Sequence, residues 1–132
     1  MRRYLLVDDD TIFNFLHTEV IKTVDSSAHI DLFNASPEGL QFLEEALEGK
    51  GEMPHFLFLD IRMPEMDGFE YLDALMNYPI EKFKDLRIYV LSSSLAERDK
   101  EKSLAYPIVT GFIEKTLTIE KLKSIIETYP ME

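Results

Sequence analysis

Two kinds of apolar pattern alternate along this chain. Short apolar runs sit at Arg3 to Val7, His29 to Asn34, His55 to Asp60, Arg87 to Ser92 and Val109 to Glu114, each close to the usual strand length of about five or six residues. Between them, apolar residues recur at helical spacing: Ile12, Leu16 and Val20; Leu40, Leu43 and Leu47; Phe69, Leu72 and Met76; Ile119, Leu122, Ile126 and Tyr129. Each set predicts one buried helical stripe. Such alternation predicts parallel strands joined by crossover helices, an α/β fold with helices on both faces of the sheet. Phe56-Leu57-Phe58-Leu59 lacks polar alternation, which suits a central strand covered on both sides. Ser36-Pro37 predicts a helix N-cap followed by proline in the first turn, and Ser94 with Glu97 has capping-box spacing. Glu97 to Lys102 is charged at every position. That leaves Leu104, Ala105 and Tyr106 to anchor the fourth helix, which is expected to be the most loosely held.

Composition narrows the classes. The chain has 132 residues, 45% hydrophobic and 30% charged, an ordinary balance for one globular domain with its own core. No linker, repeat or low-complexity tract divides it, so a single domain over residues 1–132 with no output domain is expected. No apolar stretch approaches a bilayer span, and the run after Met1-Arg2-Arg3 stops at three aspartates, unlike a signal peptide. The formal net charge of −11 argues against a nucleic-acid partner, because such binding draws on cations that neutralise phosphates. Absence of cysteine excludes disulfides and thiolate chemistry and fits a reducing cytoplasm.

Asp8 and Asp9 follow the first apolar run, Asp60 ends the third and Lys115 follows the fifth. If those strands are neighbours, their carboxyl ends open onto one rim, where α/β folds place their sites. The acids and the lysine then share a pocket. One of Asp8, Asp9 and Asp10 is expected to cap the following helix. At about 5 Å and an effective dielectric near 20, each like-charged pair costs about 3 kcal/mol, a repulsion that a hard cation such as Mg2+ or Mn2+ relieves. Asp60 alone would initiate a turn before Met63-Pro64-Glu65-Met66-Asp67-Gly68. Beside a cation it becomes a nucleophile toward a phosphoryl group. Ser92 ends the fourth strand and offers a hydroxyl over the same crevice, and Lys115 a point charge for a phosphate. His17, His29 and His55 lack metal-ligand spacing and read as surface or packing residues.

The ordered set Leu-Leu-Val-Asp-Asp-Asp, Leu-Phe-Leu-Asp-Ile-Arg-Met-Pro-Glu-Met-Asp-Gly-Phe-Glu, Val-Leu-Ser-Ser-Ser and Gly-Phe-Ile-Glu-Lys resembles the receiver domain of two-component response regulators over nearly the whole chain. The resemblance implies a doubly wound, flavodoxin-like parallel sheet of five strands in the order 2-1-3-4-5. It implies Asp60 as phosphoacceptor, Asp8 and Asp9 as the acidic pair for Mg2+ or Mn2+, and Arg62 as donor of a backbone carbonyl to the metal. Ser92 would close on the phosphoryl group, with Lys115 its ionic partner and Phe112 the aromatic that follows Ser92. Arg62 and Ser94 flank the site and would tune phosphate lifetime. The implied donor is a histidine kinase or histidine phosphotransfer protein, and the signal would leave through protein contacts on the helix 4, strand 5 and helix 5 face.

The chain departs from the family pattern in three places. Thr116 follows Lys115 where the family usually has proline in a cis peptide. A non-proline cis bond costs about 2.5–4 kcal/mol, which leaves the isomer open. Phe112 stands for a common tyrosine and Ser92 for threonine. Among alternatives, a haloacid-dehalogenase-type phosphatase needs a second aspartate where Arg62 stands. A flavodoxin-like nucleotide binder would not place three aspartates against a phosphate. A non-phosphorylated pseudo-receiver used as a protein-binding module is the remaining alternative, and the intact set of Asp8, Asp9, Asp60, Ser92 and Lys115 argues against it.

Overall fold

A computed structural model describes residues 1–93 and 96–129. Its strands β1 (Arg3–Val7), β2 (His29–Phe33), β3 (Phe56–Asp60), β4 (Arg87–Ser92) and β5 (Val109–Glu114) alternate with α1 (Thr11–Val24), α2 (Ser36–Leu47), α3 (Gly68–Leu75), α4 (Glu97–Leu104) and α5 (Ile119–Glu127), with a 3-10 turn at Ile80–Phe83 before β4. The strands form one parallel sheet in the order β2-β1-β3-β4-β5. This is the doubly wound arrangement expected from the sequence, and β3 at its centre is buried along its whole length.

Period-2 geometry sorts each strand's side chains between two cores. Leu5, Val7, Leu57, Leu59, Ile88 and Val90 pack with Leu40, Leu43 and Leu47 of α2 and Phe69 and Leu72 of α3. Tyr4, Leu6, Phe56, Phe58, Tyr89 and Leu91 pack on the opposite face with Ile21 of α1 and Leu122 and Ile125 of α5.

Several local expectations are corrected. Ser36 is the first residue of α2 rather than its cap; Ala35 holds the cap position with no side-chain bond, while Ser36 Oγ donates to the Met66 carbonyl at 2.6 Å. Of the stripe Ile12, Leu16 and Val20, only Val20 packs against the core, and it does so partly: α1 buries Asn14, His17 and Ile21, and Ile12 and Leu16 are 70% and 40% exposed. Met76 and Leu104 also face solvent. Of the three expected anchors of α4, Leu104 and Ala105 are exposed and Tyr106 holds, its ring stacked on Phe69 and its hydroxyl donating to Asp73, while α4 itself buries the polar residues Asp99 and Ser103. Ser94, with its capping-box and tuning assignments, lies outside the described residues. No helix among the described residues is long and apolar enough to cross a membrane.

Candidate functional site

Register alone brings the acids together. Val7 of β1 lies opposite Leu59 of β3, so the next residues, Asp8 and Asp60, leave the sheet side by side. Asp60 is in turn paired with Leu91, one residue before Ser92, and Ser92 with Glu114, one residue before Lys115. Four consecutive strand ends thus converge on one rim.

Each side chain is then held locally. Asp10 is the acid that caps α1, its carboxylate accepting from the Ile12 and Phe13 amides. That division of labour leaves Asp8 and Asp9 for the cleft. Asp8 Oδ1 accepts from the Asp10 amide at 3.0 Å, and Asn14 Nδ2 donates to the Asp8 carbonyl at 2.7 Å. Gly68 folds the loop after β3 back onto its origin: its amide donates to the Ile61 carbonyl, and a Cβ there would lie 2.5 Å from the Asp60 carbonyl oxygen. Glycine is required at that approach.

Lys115 closes the rim from β5. Its amide donates to the Ser92 carbonyl at 2.9 Å, and the bond that follows it, Lys115–Thr116, is cis. Its Nζ lies 2.7 Å from Asp8 Oδ2 and 3.1 Å from Asp60 Oδ1, and the side chain is only 4% exposed. Carboxylate oxygens of Asp8, Asp9 and Asp60 all lie within 4.8 Å of one another. Burial first, and the Asp8 charge second, push the Asp60 carboxyl up to about 6, although Lys115 pulls against both. Burial opposes the charge on Lys115, but the two carboxylates outweigh it and its pKa is raised. Hard oxygen donors crowded until one holds its proton up to about pH 6 fit a divalent cation, which would compete with that proton.

The cleft above these groups measures about 480 Å3 and is lined by Asp9, Asp10, Thr11, Phe13, Asp60, Arg62, Ser93 and Lys115. Ser92 is buried at the end of β4, and Ser93 rather than Ser92 lines the opening. The Arg62 guanidinium turns to α4, 2.5 Å from Asp99 Oδ2. Phe112 is half-buried against the α2–α3 core and is not among the cleft-lining residues.

On α1 the sequence reading passes over Phe13 and Asn14 and takes His17 for no more than a surface or packing residue. Their spacing with Ile21 is helical, but two of the buried members are polar, so an apolar periodicity search cannot select them. His17 is 1% exposed and its Nε2 accepts from the Leu117 amide at 3.2 Å. Burial lowers the imidazole pKa; the Asp8 charge opposes it, the Lys115 charge adds to it, and the net shift is downward, which favours the neutral ring.

Known proteins resemble this chain along nearly its whole length. A family model described as the response regulator receiver domain matches residues 4–127. A two-component response regulator from Cytophaga hutchinsonii superposes with a TM-score of 0.85 at 30% identity, covering 96% of this chain and 95% of that one. The probable methanogenesis regulatory protein FilR2 of Methanothrix harundinacea is 24% identical over 93% of this chain and 77% of its own length. A protein-glutamate methylesterase/protein-glutamine glutaminase of Burkholderia pseudomallei is 32% identical over 102 residues, but the match spans only 25% of that protein.

Proposed function

Because this chain belongs to the response regulator receiver family, we propose that it is a phosphoacceptor in two-component signalling, taking a phosphoryl group onto Asp60 from a histidine kinase or histidine phosphotransfer protein. The observation that carries this reading is the meeting of Asp8, Asp9 and Asp60 within 4.8 Å beside Lys115 Nζ. An Asp60 carboxylate oxygen attacks phosphorus, the P–N bond to the donor imidazole breaks, and the imidazole leaves with the bonding pair. Asp8, Asp9, Asp60 and the Arg62 carbonyl would hold Mg2+ or Mn2+, which when bound supplies charge neutralisation at the phosphoryl oxygens.

Lys115 is already aimed at the acceptor and would exchange its carboxylate contacts for a phosphoryl oxygen. The acylphosphate adds roughly −1.5 to −2 charges, so a fixed ammonium at this point stabilises the product. Ser92 moving toward the new oxygens would vacate space that Phe112 turns to fill, and α4, β5 and α5 would present the altered surface to a downstream protein. α1, whose first turn lines the cleft through Thr11 and Phe13, also exposes Ile12, Phe15 and Leu16, an apolar surface on which a histidine-bearing donor would rest. The acidic surface, the cysteine-free composition and the kinase donor suit action in the cytoplasm through protein contacts, without nucleic acid or membrane.

Acetyl phosphate with Mg2+ should add the mass of one phosphoryl group to the protein, and Asp60→Asn should abolish the gain. No mass gain in the parent would overturn the reading in favour of a pseudo-receiver binding module.

A further inference from the structure

Lys115 is held from behind by a pair of rings on α1. The Phe13 ring lies under its ammonium, with Nζ 4.3 Å from the ring centroid. One turn further along α1 the His17 ring stacks on Phe13, centroids 5.8 Å apart and planes inclined by 22°. His17 then reaches across to the other end of the sequence, its Nε2 accepting from the amide of Leu117, two residues past Lys115 and itself 1% exposed. A neutral imidazole that accepts at Nε2 carries its proton on Nδ1. Lys115 is therefore pinned at its own amide by Ser92, under its side chain by Phe13, and just downstream by His17.

We propose that Phe13 and His17 form a two-ring platform that positions Lys115 for phosphoryl transfer, with His17 a positioning residue acting through the Leu117 amide. The inference rests on the phosphoacceptor reading above and adds to it two residues whose task is to hold Lys115. A misplacement of about 1 Å at a group that stabilises developing charge costs on the order of a hundredfold in rate, so the hydrogen bond 100 residues apart in sequence matters to the chemistry. The bond also explains why α1 buries a histidine where Ile12, Leu16 and Val20 would supply a conventional apolar stripe.

The test compares His17→Leu, which removes the acceptor, with His17→Gln, whose Oε1 occupies a position close to that of Nε2. Each variant, shown to be folded by circular dichroism and used well below its melting temperature, is treated with acetyl phosphate and Mg2+. Phosphoryl mass is followed with time, and exchange of the Leu117 amide is followed by NMR. His17→Leu should phosphorylate at least tenfold more slowly with at least tenfold faster Leu117 exchange, and His17→Gln should stay within about threefold of the parent on both. A parental rate in His17→Leu overturns the proposal whatever the exchange shows. Equal slowing in both variants also overturns it, because the ring would then act by packing alone. If the parent gains no mass, the phosphoacceptor reading falls, and Leu117 exchange decides the platform separately: unchanged exchange in His17→Leu sinks it, and faster exchange restored by His17→Gln supports it. Should His17→Leu not fold, Phe13→Leu takes its place, with a slowing of at least threefold expected and an unchanged rate overturning the platform.

Discussion

Helices α1 and α2 follow neighbouring strands on opposite faces of one sheet, yet they use their buried sides differently. α2 buries Leu40, Leu43, Ala46 and Leu47, an apolar stripe whose task is to fill the core. α1 buries Asn14, His17 and Ile21 and leaves Ile12 and Phe15 70% and 65% exposed. Its inner polar side chains are spent on backbone: Asn14 on the Asp8 carbonyl and His17 on the Leu117 amide. One helix is therefore mainly a stabiliser. The other braces the two chain segments that carry Asp8 and Lys115, and turns part of its apolar surface outward.

Mutations should separate the two roles. Leu43→Ala in α2 should cost about 2–5 kcal/mol in urea unfolding, the range for a buried leucine truncation, while leaving the acetyl phosphate reaction of the folded protein within twofold of the parent. A larger loss of rate would mean that α2 also shapes the cleft. Asn14→Ala in α1 leaves the Asp8 carbonyl without its buried donor and should cost about 1–3 kcal/mol. Unlike the α2 change, it should also weaken Mg2+ binding at least threefold by calorimetry, and equal affinity would remove Asn14 from the bracing role.

Charge at the rim predicts a smaller effect of opposite sign. The Asp60 carboxyl is raised in the folded protein from 3.8 to about 6, so its contribution to stability is full below the lower value and lost as pH rises through the upper one. In the presence of a chelator, Asp60→Asn should therefore stabilise the protein at pH 8 by on the order of 1 kcal/mol, with the gain fading toward pH 4. Melting curves across that range would show it, and a gain that grows toward acid pH would reverse the assigned sign. The same proton competes with the cation, so Mg2+ affinity should fall as pH drops through about 6.

The smallest stability change belongs to the outer side of α1. Phe15→Ser should alter stability by no more than about 0.5 kcal/mol and leave the acetyl phosphate rate unchanged, while slowing transfer from a protein phosphodonor. A large loss of stability would show that this side packs against something in the fold.

Much of the fold could be read along the chain because strands here carry their own signal. Phe56-Leu57-Phe58-Leu59 is apolar on both faces, and a central parallel strand is where that pattern is stable. The rim acids were legible for a related reason: Asp8 and Asp60 each follow an apolar run directly, and parallel register does the rest. Ser36 misled because serine before proline satisfies a local capping rule, whereas its hydroxyl is claimed by Met66, 30 residues away. Arg62 carried no sign that its guanidinium would turn to Asp99 on α4, since a charge's partner depends on which helix packs beside it.

Residue order by itself determined the alternation of strand and helix, the centrality of β3 and the identity of the charged rim, because each follows from periodicity or from position relative to a strand end. Tertiary structure alone decided which side of α1 faces inward, and so made Phe13, Asn14 and His17 part of the site's support. The physical reason is that a buried backbone amide or carbonyl left over by a loop must find a partner, and only the packed fold brings the unpaired group of Leu117 to a histidine 100 residues before it.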